Sequence, residues 1–350
     1  MILGIIFDKT GVSKENLDRV KSKIIRDIFL WNKCDLDMLE RIAVSKTFLL
    51  SKAWFVANFI CFDRRFTVAL NKIIFGFIWN GSIELIKRDT LILPYERGGL
   101  NCFNLFAKIE TIFFQQFLYI ARNYRRTFFH LSVYWLKFHL KPIGIRNFNI
   151  IPFGDDVERP AIYSGMVDSV QRFKFLDKSF FKKSTSLTSK AVYLKFREKY
   201  EKHPKVEDLG LSIDWKKVYL SLNNRSLESR LRVFNYKVLF DALSLNIKYS
   251  DRLKKKCYLC SSCNEDLEHL FVGCRVTTFL FEKIKYLLSE SQVFLTKKVI
   301  FYGMGLNFED NRLISIFKYS IWMIRCIRRK EVIDFEKTFN RIFHSRLAFN

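Results

Sequence analysis

This chain has no long apolar run, few acids beside its many bases, and few cysteines, histidines or prolines. No stretch approaches the about 18 consecutive apolar residues of a membrane-spanning helix, so no span is expected. Met1 opens a seven-residue apolar run with no basic region ahead of it, which argues against a secretory signal. Only eight cysteines and five histidines are present. Cys34, Cys61, Cys102 and Cys326 are scattered and read as core residues. The other four gather around a histidine. Without an export signal, that grouping fits a reducing intracellular compartment, cytoplasmic or nuclear, and a chain that is not secreted.

What is present is a globular composition. Half of the 350 residues are apolar (49%), which separates the chain from disordered sequences and leaves room for two domains. Lys and Arg number 60 against 35 Asp and Glu, a formal net charge of +25, and such an excess points to a polyanionic partner. An AT-rich gene inflates lysine together with phenylalanine, which occurs 37 times. It does not inflate arginine, and the pairs Arg125-Arg126 and Arg328-Arg329 stand apart from that bias.

Helical spacing dominates. After Ser13, a suitable N-cap, Leu17, Val20, Ile24, Ile28 and Trp31 recur at three and four. Further helices are expected over 36–59, 66–78 and, capped by Asn104, 105–121. Between them, Asn80-Gly81 and Gly98-Gly99 mark turns, and 83–93 reads as two short strands or extended arms before Pro94. Residues 121–200 hold 16 Lys or Arg against 6 Asp or Glu, with Phe128, Phe129, Tyr134, Trp135 and Phe138 interleaved. Such a segment can grip phosphates and stack on bases, or its aromatics can be helix core with the charges as a solvated rim. Residues 178–190 are rich in Ser, Thr and Lys and read as a linker. Helical patterns return over 190–200, 215–222, 227–245, 277–289 and 313–329.

The stretch CYLCSSCNEDLEHLFVGC, 257–274, offers five soft ligands for the four places of a tetrahedral metal. One register uses Cys257, Cys260, His269 and Cys274; a shorter one uses Cys260, Cys263, His269 and Cys274. The Cys257-Tyr-Leu-Cys260 turn followed by a helix start at 265–271 favours the first. Lys254, Lys255 and Lys256 lead directly into Cys257, which makes burial of all four thiols unfavourable. One structural Zn²⁺ is expected.

Two segments carry a resemblance. In FIWNGSIELIKRDTLILPYERGGLNCFNL, 77–105, Phe77, Trp79, Gly81, the pair Lys87-Arg88, Leu91, Pro94, Gly98, Gly99, Leu100 and Asn104 fall in an order that resembles the region after the polymerase core of non-LTR (LINE-type) retrotransposon reverse transcriptases. The cysteine stretch, approached through Asp214-Trp215 and closed by His269-Leu270-Phe271 and Cys274, is similar to the zinc-binding region of the same elements. Leu3-Gly4 resembles the end of their palm subdomain, and the resemblance spans roughly 1–285. It implies a mostly α fold, with a helical thumb and post-thumb region over 1–130 that holds a short β or extended insert and a helical CCHC zinc-binding region over 191–290; charge and spacing add a basic aromatic linker region over 131–190 and a basic helical C-terminal segment over 291–350.

By the same resemblance the catalytic palm, with its Mg²⁺-binding aspartates, lies upstream of the equivalent of Leu3. The chain is therefore expected to be a fragment without polymerase activity. Phe153-Gly154-Asp155-Asp156 imitates the catalytic motif, but Pro152 spoils the strand that should precede it, and it reads as a surface turn. A nuclease after the zinc site would carry Pro-Asp, whereas the last proline is Pro204. The expected function is to hold template RNA or target DNA beside an upstream polymerase core, with no membrane partner, through Lys87, Arg88, Arg125, Arg126, Arg325, Arg328 and Arg329. The alternative is a zinc-stabilised scaffold that contacts protein, or a remnant of an element with no present function.

Overall fold

The computed structural model describes residues 4–8, 11–123, 127–140, 159–176, 187–202, 204, 213–246, 255–289, 294–303 and 306–349. They fall into two compact units, Met1–Glu84 with Cys102–Lys202, and Leu85–Asn101 with His203–Asn350. The chain is mostly α, as the apolar spacing predicts. Among the described residues, no helix is long and apolar enough to cross a membrane.

The first unit opens on a two-stranded antiparallel hairpin, β1 (Phe7–Asp8) and β2 (Gly11–Val12), with Phe7 opposite Val12. Buried Asn16 ties it to α1 (Glu15–Trp31): its side chain accepts from the Ile6 N–H at 3.0 Å and donates to the Ile6 carbonyl at 2.9 Å. The Ser13 hydroxyl accepts from the Glu15 N–H, close to the expected cap, and Leu17, Val20 and Ile24 are buried as their spacing requires. The run expected over 36–59 is α2 (Met38–Val44) and α3 (Leu50–Ala57), joined by a π-helical turn at Ser45–Leu49. Asp37 and Glu40 form a capping box at the start of α2, and Asp63 caps α4 (Arg64–Ile78).

The chain passes through α5 (Arg88–Leu91), part of the second unit, and returns as α6 (Leu105–Arg122), whose Asn104 cap accepts from the Ala107 N–H at 2.9 Å. Helices α7 (Thr127–Leu140), α8 (Ala161–Leu176) and α9 (Ser189–Glu198) follow. Phe114, Phe173 and Phe196, each fully buried, join α6, α8 and α9, with ring centroids 4.4 Å apart for the first two and 5.3 Å for the last two. Truncating such a ring costs about 3–5 kcal/mol, so α8 is core and not a linker. Phe129 is buried and Trp135 stacks on Tyr163 at 6.2 Å, so these aromatics of the basic segment serve packing. Asp155 and Asp156, and the Ser/Thr/Lys-rich run over 177–186, lie outside the described residues.

In the second unit the expected strands of 83–93 do not form. Residues 83–87 carry no regular structure, and α5 takes Arg88–Leu91. The Leu100 N–H donates to the Leu91 carbonyl and the Asn101 N–H to the Leu93 carbonyl, which closes a loop through the Tyr95–Arg97 3₁₀ turn and leaves no ladder to build. Gly98 has φ +77° and lies against α10 (Trp215–Leu222), where a Cβ would come within 2.6 Å of the Tyr219 ring. At Gly99 a Cβ would meet the Leu93 carbonyl oxygen at 2.0 Å. The Tyr236 hydroxyl of α11 (Ser229–Leu239) donates to the Gly98 carbonyl at 3.1 Å.

The rest of this unit is α12 (Arg275–Ile284), α13 (Lys297–Tyr302), α14 (Phe308–Arg328) and α15 (Phe335–Phe349). One buried cluster runs from Phe234 on α11 through Leu280 and Phe281 on α12 and Phe317 and Ile321 on α14 to Phe339 and Phe343 on α15. Cys257, Cys260 and Cys274 belong to the same cluster. The expected boundary at 290 therefore divides a single core, because the apolar face of α14 covers both the cysteines and α15.

Candidate metal centre

Cys257, Cys260, His269 and Cys274 come together with one ligand atom from each within 4.8 Å of the others, and the group can hold a metal ion. Local backbone explains the convergence. The Lys256 and Asn264 backbones bridge in antiparallel fashion, the Cys257 N–H donates to the Cys263 carbonyl at 2.8 Å, and the Ser261 N–H donates to the Cys257 carbonyl at 2.8 Å. Ser261 takes φ +58°, the left-handed conformation that reverses a tight turn. The knuckle turns Cys257 and Cys260 inward and leaves Cys263 exposed. The structure thus groups the longer register and leaves Cys263 spare.

The other two ligands come from a helical turn. The Asp266 carboxylate accepts from the His269 N–H at 2.7 Å and starts a short helix that widens into a π-turn over His269–Gly273. That turn places His269 Nε2 3.3 Å from the Cys260 sulfur. Cys274 then forms the N-cap of α12, so the fourth ligand is fixed to the start of that helix. The Cys257 thiol donates to the Cys274 sulfur, which lowers the pKa of Cys274 and raises that of Cys257.

Behind the turn lies a buried charge network. Glu265, with 0% exposure, accepts from the Asn246 N–H at 3.1 Å, the Tyr258 N–H at 3.2 Å and Arg325 Nε at 3.0 Å. Arg325 also donates to Asn246 Oδ1 at 3.1 Å and to the Ser244 carbonyl at 3.2 Å. Its guanidinium lies between the Tyr258 and Trp322 rings, 5.0 and 4.9 Å from their centroids. Burial opposes its charge, but the Glu265 carboxylate more than offsets this and raises its pKa. The network anchors the Cys257–Cys260 turn to α14.

This corrects one expectation. Arg325 is 2% exposed and fully engaged, so it is a structural group and is not placed to meet nucleic acid. Its position could have told as much, since Ile314, Ile321 and Arg325 share the apolar stripe of α14, seven and four residues apart. Lys87 and Arg329 are exposed. Arg88 is half-buried at the start of α5, and Arg328 is half-buried with its guanidinium 6.0 Å from the Phe335 ring. Arg125 and Arg126 lie outside the described residues.

A basic aromatic surface that the sequence reading missed follows the metal centre. Phe279 on α12 is 51% exposed with the Lys283 ammonium 5.2 Å from its ring, Phe294 is 66% exposed beneath Lys285 at 5.4 Å, and Tyr286 is 77% exposed. The missed signal is spacing: 279 and 283 lie on the helix face opposite buried Leu280, Phe281 and Ile284, and 286 follows in the Lys285–Leu287 3₁₀ turn. No protein-family model matches the chain, and no curated protein matches it.

Proposed function

We propose that the chain is a zinc-stabilised binding piece for single-stranded nucleic acid, related to the C-terminal part of a LINE-type reverse transcriptase. The observation that carries this reading is the join between metal centre and surface. Cys274, a ligand, caps the helix whose outer face displays Phe279 beside Lys283, with Tyr286 following. A metal bound there fixes the aromatic face in place, and aromatic faces with adjacent lysines bind exposed bases and phosphates together.

Zinc is the metal of choice for three thiolates and one imidazole, and such closed four-ligand sets are structural. Zn–S bonds of about 2.3 Å and Zn–N bonds of about 2.0 Å give tetrahedron edges of roughly 3.5–3.8 Å. The 3.3 Å approach of Cys260 to His269 already lies near that length, and the 4.8 Å limit on the set leaves only a small side-chain adjustment. The formal +25 charge supplies the electrostatic part of the binding.

The test is binding of labelled single-stranded RNA and DNA across a salt series. Log affinity should fall by roughly 0.7 per phosphate contact for each log unit of salt. Replacing Phe279 and Tyr286 with alanine together should weaken binding by about 1–3 kcal/mol per lost stack, at every sequence tried. Affinity that ignores both salt and this double substitution would instead favour a surface for protein.

A further inference from the structure

In the second unit, α10, α11, α13 and α14 line a cavity of about 190 Å³. Its charged lining is entirely cationic: Lys217, Arg312 and Lys318, with no carboxylate among the lining residues. Lys318 is the unusual member. It sits in the middle of α14 at 4% exposure, and its ammonium has one hydrogen-bond partner among the described residues, the Ile300 carbonyl at 2.9 Å. An ammonium has three donors, so two remain without an acceptor among the described residues.

Asn235 supplies the complementary clue. The Ser315 hydroxyl donates to the Asn311 carbonyl at 2.7 Å, which uses its only proton. Ser315 must therefore accept from Asn235, at 2.9 Å, and this fixes which end of the amide is nitrogen. The Asn235 oxygen that remains is buried and has no hydrogen-bond partner among the described residues. A buried acceptor without a donor costs about 1–3 kcal/mol, and a buried cation without an anion costs more.

We infer that this cavity binds a small oxyanion that carries its own O–H, with monohydrogen phosphate as the simplest: its charged oxygens meet Lys318 and its hydroxyl donates to Asn235. Size supports the choice, since pockets for larger organic ligands occupy roughly 300–1,000 Å³. A nucleic-acid phosphodiester has no O–H and no free end to enter, so this site is independent of the nucleic-acid surface. Burial pushes the Lys318 amine down to about 7, a penalty that a bound anion relieves.

The experiment is calorimetric titration of the zinc-loaded full chain, in phosphate-free buffer, with inorganic phosphate and separately with sulfate, which has no O–H at neutral pH. Phosphate should bind at least 10-fold more tightly than sulfate. Lys318→Met should weaken phosphate at least 10-fold, and Asn235→Leu should bring phosphate down to the level of sulfate. Zinc content and circular dichroism confirm that each variant is folded; should Lys318→Met fail to fold, Asn235→Leu decides alone. Equal affinity for the two anions in the wild type, or phosphate binding unchanged in the folded variants, overturns the inference.

Discussion

Cys257 and Cys263 differ in what the knuckle does with them, since one is turned into the core and the other into solvent. Cys263→Ser should therefore leave about one zinc per chain by mass spectrometry under native conditions, and Cys257→Ser should leave none. Glu265 and Arg325 make a different test. Removing one partner leaves a bare charge in the core, so Arg325→Met alone should cost about 3–5 kcal/mol in urea unfolding of this unit. With Glu265→Gln added, the total should be less than the sum of the two single changes, because the double variant strands no charge whereas each single one does. Lys318 has its own signature. Its pKa is about 7 in the folded chain against 10.5 for the free amine, so between those values the unfolded chain holds the extra proton and stability rises with pH. The other titratable or charged lining groups are Lys217, Arg312 and Tyr302, and burial pushes the Tyr302 phenol up. Lys318→Met should raise stability at pH 7 and flatten its rise toward pH 10.

At the level of elements, the amphipathic helices were legible because their apolar residues meet a core on one side only. The faces of α1 and α14 follow that rule, as does the Asn104 cap of α6. The 83–93 stretch was not legible. Ile83 to Ile86 and Leu91 to Leu93 are short, mostly apolar runs of the kind strands use, but a strand needs a neighbour, and the backbone partners of this loop come from Leu100 and Asn101 just beyond the Gly-Gly turn. The metal ligands were legible because soft ligands at short spacing have few other uses. Their tie to α14 was not, since Glu265 and Arg325 are 60 residues apart and only the fold joins them. The Gly-Gly turn gives the element its own test. Gly81 and Gly98 both have positive φ, yet a Cβ at Gly81 meets nothing within 4 Å and at Gly98 strikes Tyr219. Gly81→Ala should cost about 1 kcal/mol, the backbone penalty alone. Gly98→Ala should cost more in the unit that holds α10, measured by hydrogen exchange of the α10 amides.

Across the whole molecule, the consequence of losing the metal depends on where the cores end. A free-standing zinc module would melt by itself on chelation and leave its neighbours folded, and a boundary at 290 would produce that result. Here the three ligand cysteines share one buried cluster with Ile314, Phe317 and Ile321 of α14 and with Phe339 and Phe343 of α15. Structural zinc contributes about 10–16 kcal/mol of apparent binding free energy in small modules, as much as the whole stability of an ordinary domain. Removing a zinc bound there as proposed leaves three unbridged sulfurs at the centre of that cluster, next to the turn that carries Glu265. Chelation should therefore lower amide protection throughout α12, α14 and α15 together. The first unit, whose core is built on Phe114, Phe173 and Phe196, should keep its protection. Hydrogen exchange read by mass spectrometry before and after chelator treatment separates the cases: loss confined to 255–275 would mean that the metal site stands alone, and loss that includes α15 would mean that one metal holds the second unit together.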